Sequence, residues 1–130
     1  MTVLADTSVW VQYLRRGRAG KAARLDDLLA QGEVVVCGPV VAELVAGTPP
    51  AHRAELIALL NALPWADLGH AEWARVGEVA ARLREEGITT ALTDIEIAVA
   101  AARVNAELWT RDSDFTRIAT VLDSLSLFAP

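Results

Sequence analysis

An α/β sandwich built on a mostly parallel sheet is the fold class that this 130-residue chain predicts. Short apolar or β-branched runs alternate with longer amphipathic stretches, the pattern of strands crossed by helices. The first apolar run, residues 3–5, stops at Asp6-Thr7-Ser8, three residue types that favour helix N-caps, so a strand feeds directly into a helix. No repeat, low-complexity stretch or linker interrupts the alternation, and the chain reads as one domain over 1–130. Its hydrophobic content of 53% against 22% charged residues excludes a disordered chain.

The elements follow in order. After the strand at 3–5, a helix runs to about 14 and meets the basic break Arg15-Arg16-Gly17-Arg18. A second helix is predicted over 19–31, stopped by Gly32. Residues 33–37 are β-branched and read as a strand. Gly38-Pro39 opens a helix with proline in its first turn, ending near Gly47. Thr48-Pro49-Pro50 is a loop, and 51–62 a helix carrying Leu56, Leu59, Leu60 and Leu63 on one face. Residues 64–68 form a weak strand. The long amphipathic helix 70–86 turns Trp73, Val76, Val79, Ala80 and Leu83 inward and closes at Gly87. An almost uniformly apolar helix spans 93–105, which implies burial on several sides. A strand at 107–110, a short helix at 112–121 and an edge strand at 126–128 complete the chain.

The net charge of −5 argues against a simple nucleic-acid clamp, unless bound cations supply the positive charge. Cys37 is the only cysteine, so no internal disulfide forms. Residues 1–6 lack a basic leader, and no apolar run approaches the ~18 residues of a membrane helix. The reading is therefore cytoplasmic.

The informative residues are acids in apolar surroundings. Asp6 follows the first strand, and Asp112 and Asp114 follow the fourth in Trp109-Thr110-Arg111-Asp112-Ser113-Asp114-Phe115. Asp94 starts the apolar helix, and Glu43 is the only charge between Val34 and Pro50. Ligands of open parallel sheets bind beyond the carboxyl ends of the strands, where Asp6 and Asp112 fall. Clustered carboxylates repel one another, and a divalent cation relieves that cost. An all-oxygen set suits Mg²⁺ or Mn²⁺, and such ions suit phosphodiester hydrolysis. Each acid also has a plain role: Asp6, Asp94 and Asp112 as helix caps, Glu43 on a solvent face. Capping does not explain Glu43, which lies mid-helix. Thr7, Ser8 and Thr110 offer hydrogen bonds to the carboxylates, while Trp10 and Phe115 read as core. Glu96 lies about 200° around the helix from Asp94 and reads as a structural or partner-facing charge. Arg15, Arg16, Arg18, Lys21 and Arg24 form either a solvated face or a contact for RNA phosphates or an acidic partner.

At these residues the sequence resembles the PIN-domain ribonucleases, and among them the VapC toxins of type II toxin–antitoxin pairs. Leu4-Ala5-Asp6-Thr7-Ser8-Val9-Trp10, Val40-Val41-Ala42-Glu43-Leu44, Thr93-Asp94-Ile95-Glu96-Ile97-Ala98 and Trp109 to Phe115 match the family's four motifs in order. Glu96 stands where a small or apolar residue is commoner. The resemblance implies a PIN-like three-layer α/β/α sandwich with a four- to five-stranded sheet. It implies a metal-dependent endoribonuclease in which Asp6, Glu43, Asp94 and Asp112 hold Mg²⁺ or Mn²⁺ with Asp114 assisting, so that activated water hydrolyses RNA. It further implies a homodimer and a VapB-like antitoxin, in a heterotetramer or larger assembly. The alternative is a catalytically silent PIN-like module that binds protein or RNA, although such modules usually lose at least one acid. A phosphorylation receiver would need an acidic pair after strand one and a late lysine, but Lys21 is the only lysine.

Overall fold

The computed structural model describes residues 1–130. Four strands, β1 (Val3–Ala5), β2 (Val34–Val35), β3 (Glu107–Trp109) and β4 (Ser126–Leu127), form one sheet in the order β2-β1-β3-β4. Every pairing is parallel, with Val3 opposite Val34 and Glu107, and Leu108 opposite Leu127. Seven α-helices connect or flank them: α1 (Thr7–Arg16), α2 (Ala23–Ala30), α3 (Gly38–Ala46), α4 (Pro50–Asn61), α5 (His70–Glu85), α6 (Leu92–Arg103) and α7 (Asp114–Ala119).

The strand order locates the site. The connection from β1 to β2 moves one way across the sheet, whereas β2 to β3 and β3 to β4 move the other way. Right-handed crossovers therefore send helices to both faces. The chain leaving β1 and the chain leaving β3 part from adjacent strands, and a crevice opens between them.

The core is continuous. Val3, Leu4 and Ala5 are fully buried, as are Leu108, Trp10 of α1 and Ile95, Ala98, Ala100 and Ala101 of α6. Helix α6 is buried on several sides, as its composition implied, and Trp10 and Phe115 are core residues.

Several expectations are corrected. The first helix continues through Arg15 and Arg16 and stops at Gly17, whose φ of 53° suits glycine and whose N–H bonds the Tyr13 carbonyl. The helix expected over 19–31 starts only at Ala23, because a 3₁₀ turn at Gly17–Ala19 intervenes. Arg18 in that turn pairs with Asp26 (2.5 Å) and Asp27 (3.1 Å), and Tyr13 donates to Asp26, which fastens the turn to α2. The weak strand at 64–68 is reduced to a single parallel bridge, Trp65 to Val36. Pro64 has no N–H to extend the ladder, so only its carbonyl, accepting from Val36, and the N–H of Ala66 take part. The last helix begins at Asp114 rather than Asp112. Trp73, expected inside, is 52% exposed, and Leu59, expected to share a face with Leu56 and Leu60, is 41% exposed while those two are buried. Trp73 continues the buried stripe of Val76, Ala80 and Leu83 but overhangs its end.

Trp10→Ala removes a fully buried indole, and a loss of about 3–5 kcal/mol is expected from denaturant unfolding. Trp73→Ala should cost less than about 1 kcal/mol in the same measurement. Equal losses would contradict this account of the core.

Candidate active site

The backbone N–H of Asp6 bonds the Trp109 carbonyl at 2.9 Å, so the β1–β3 ladder persists to the point where both chains leave the sheet. Asp6 is only 5% exposed, yet its carboxylate is satisfied. One oxygen accepts from the Ser8 hydroxyl (2.5 Å) and from the Val9 N–H (3.3 Å), and the other from the Thr110 hydroxyl. Asp6 thus caps α1 and is clasped to the end of β3. Thr110 in turn accepts from the Asp112 N–H, and the Asp112 carboxylate accepts from the Asp114 N–H, both at 2.9 Å. Thr7 donates to Glu43 at 2.6 Å, which ties the middle of α3 to the start of α1.

Asp94 differs from these acids. It lies in the first turn of α6, one turn from the N-cap Ala91, and takes no hydrogen bond or ion pair from the protein. Burial pushes its carboxyl up to about 6, helped in turn by the charges of Asp112, Asp114, Glu43 and Asp6. Four acids from three other places in the chain therefore act on Asp94. The tightest group is Asp94, Asp112 and Asp114, each with a carboxylate oxygen within 4.8 Å of the others. Asp114 belongs to this group, while Asp6 and Glu43 border it. A single cation answers the five: Arg117 reaches Asp114 at 3.0 Å.

The donor set is all carboxylate oxygen, which suits a hard divalent cation. Cys37 is buried and its thiol is pushed up to about 11 by desolvation, so it offers no thiolate. Glu96 is half-buried and, also by burial, its carboxyl is raised. It is not among the charges acting on Asp94, and bears instead on the Cys37 thiol.

The basic run does not form one patch. Arg18 is engaged by Asp26 and Asp27, Arg24 sits 6.0 Å from the Phe128 ring, and Arg16 is exposed. Arg15 borders a groove of about 760 Å³ between α1, α3 and α4, which shares only Glu43 with the acids. Lys21 faces a smaller cleft beside Thr110. Sequence reasoning overlooked Arg111 and Arg117; Arg111 lies between Thr110 and Asp112, a position that was the available signal.

The family model of the PIN domain matches residues 3–121. The chain belongs to the PIN-domain family. Among PIN-domain relatives, it is 29% identical over 124 residues to ribonuclease VapC11 of Mycobacterium tuberculosis, across 92% of each chain. Its fold matches VapBC2 of Rickettsia felis, solved bound to a promoter DNA fragment, with a TM-score of 0.73 and 21% identity over 98% of each chain. FitAcB of Neisseria gonorrhoeae gives a TM-score of 0.73 at 23% identity, covering 99% of this chain and 98% of that one. At these identities the likeness to the solved structures is one of fold.

The raised carboxyl of Asp94 has a pH consequence. Its folded state holds a proton more tightly than the unfolded chain, so stability falls as pH rises from about 4 to about 6. In chelator, Tm should be higher near pH 5 than near pH 7. Asp26, held low by Tyr13 and Arg18, opposes this only at more acidic pH, where its protonation removes stability. Mn²⁺ at neutral pH should raise Tm, and Asp94→Asn should flatten the chelated profile. A profile that is flat without metal and unmoved by Mn²⁺ would contradict the electrostatic description.

Proposed function

We propose that this PIN domain is a metal-dependent endoribonuclease, the toxin of a VapBC-type pair. The observation that carries the reading is the convergence of Asp6, Glu43, Asp94, Asp112 and Asp114 on one edge of the sheet, with Asp94 left unpartnered and raised to about 6. The Mycobacterium tuberculosis relative is a ribonuclease, which supports RNA as the substrate.

Asp94, Asp112 and Asp114 are the residues to hold Mg²⁺ or Mn²⁺, with Asp6 and Glu43 at its border. When bound, the ion supplies positive charge that acidifies water and stabilises the leaving oxyanion of a phosphodiester. The remaining work belongs to the chain. Ser8, the Val9 N–H and Thr110 hold the Asp6 carboxylate in place by donating to its two oxygens. Thr7 orients Glu43, and the Asp114 N–H orients Asp112. Arg117 takes up part of the negative charge at Asp114.

The partner is a VapB-like antitoxin, in keeping with the VapBC2 complex whose fold this chain shares. The groove between α1, α3 and α4 has apolar walls, Leu44, Leu56 and Leu59 among them, and opens onto Glu43. An antitoxin segment with an apolar face and a basic end fits it. The working assembly is a homodimer of toxins, bound by antitoxin as a heterotetramer or larger. The site acts in the cytoplasm, where RNA and the antitoxin meet it.

Asp6→Asn and Asp94→Asn should each lower RNA cleavage on the order of 10³-fold in a Mn²⁺-supplied assay, with circular dichroism unchanged. Structured RNA, single-stranded RNA and single-stranded DNA are compared side by side. Full cleavage by either variant sinks the catalytic assignment. Cleavage confined to DNA sinks the substrate. No turnover by the parent protein, with tight antitoxin binding, favours the silent module.

A further inference from the structure

Lys21 and Arg111 line a cleft of about 210 Å³ with Val9, Ala22, Trp109, Thr110 and Pro130. It adjoins the acids through two residues already described. Thr110 lines the cleft and donates to Asp6. The Arg111 N–H reaches Ser8, which donates to the same carboxylate. The guanidinium of Arg111 makes no ion pair; its recorded partner is the neutral Gln12, at 2.7 Å, which steadies it without spending its charge. Lys21, the only lysine, is exposed and also without a carboxylate partner. By contrast Arg18, Arg103 and Arg117 are paired with acids, and no arginine other than Arg111 lines this cleft.

This contrast matters for a polyanion. Five carboxylates repel the RNA that they are to cut, and a metal ion compensates only at the phosphate it touches. The phosphate next along the strand meets uncompensated negative charge unless the protein supplies cations for it. Two unpaired cations in one concavity, one hydrogen bond removed from Asp6, provide them. Arg111 offers a planar fork matched to phosphate oxygens, and Lys21 a mobile point charge.

We propose that Lys21 and Arg111 form a subsite for one backbone phosphate of the RNA strand, flanking the phosphodiester that is cut. The proposal rests on the ribonuclease reading above and identifies where the strand runs: across the end of β3, away from the groove at Glu43. Arg111 and Lys21 are positioning residues and touch no reacting atom.

The test measures binding apart from turnover. Fluorescence anisotropy follows a labelled single-stranded RNA on an Asp6→Asn parent loaded with Ca²⁺, over a series of salt concentrations. Adding Lys21→Ala and Arg111→Ala together should weaken binding about tenfold at low salt. The slope of log K against log salt should become shallower by about 0.7, the value for one phosphate on a single strand. Arg111→Lys should keep the parent slope and Arg111→Gln should lose it, because the contact is one of charge. Unchanged affinity and slope in the double variant overturn the subsite. So does equal behaviour of the Lys and Gln variants, or a parent that binds no RNA at low salt. In the Asp6-containing protein with Mn²⁺, the double variant should raise KM with kcat little changed. Loss of all cleavage by that protein, with the slope difference intact, removes the nuclease reading and leaves the phosphate contact standing. Retained cleavage with no slope difference does the reverse.

Discussion

Repulsion among carboxylates is the constraint around which this molecule is arranged. Like charges a few ångströms apart cost free energy in any fold, and partial burial of Asp94 increases that cost. The chain tolerates the arrangement because the surrounding scaffold is over-determined. Parallel strands β1 and β3 are fully buried along nearly their whole length, and the Asp6–Thr110 contact fastens the two departing chains beyond the last ladder bond. Helix α6 then delivers Asp94 to the same edge from a body that is buried on several sides. Rigid parts hold an unfavourable charge distribution in place.

The same logic explains why an acidic protein can act on a nucleic acid. Net charge is a sum over the surface, whereas a strand senses the field along its own path. Most of the arginines sit elsewhere or are neutralised locally, as Arg18 is by Asp26 and Asp27. The few unpaired cations that face concavities therefore weigh more than the overall balance. Arg117 is a further case: it lies beside the acids and offsets part of their charge at Asp114.

Much of this was legible in the sequence, for identifiable reasons. Val3 to Ala5 followed at once by Asp6-Thr7-Ser8 encodes a buried strand, a cap and a helix within six residues, and local physics is enough to read it. Asp94 before an apolar helix was similarly plain. What was not legible depended on distant partners. The late start of α2 follows from Arg18 and Tyr13 finding Asp26, a tertiary contact that no helical pattern reports. The loss of the strand at 64–68 follows from Pro64, whose missing N–H was visible but whose neighbours were not. Trp73 obeys the helical period of its buried neighbours, yet the core ends before it. At the site, the family resemblance set Asp114 apart from Asp112 as an assisting residue, whereas geometry sets the two beside Asp94 alike.

The margins of the sheet carry a consequence of their own. Beyond β2 the only neighbour is the bridge at Trp65, introduced by a proline, and on the far side β4 is just two residues long. Neither flank offers the row of free amides and carbonyls on which another chain could extend the ladder. The sheet is therefore closed to extension by a further strand at either margin, and the surfaces left to meet another molecule are those of helices and side chains.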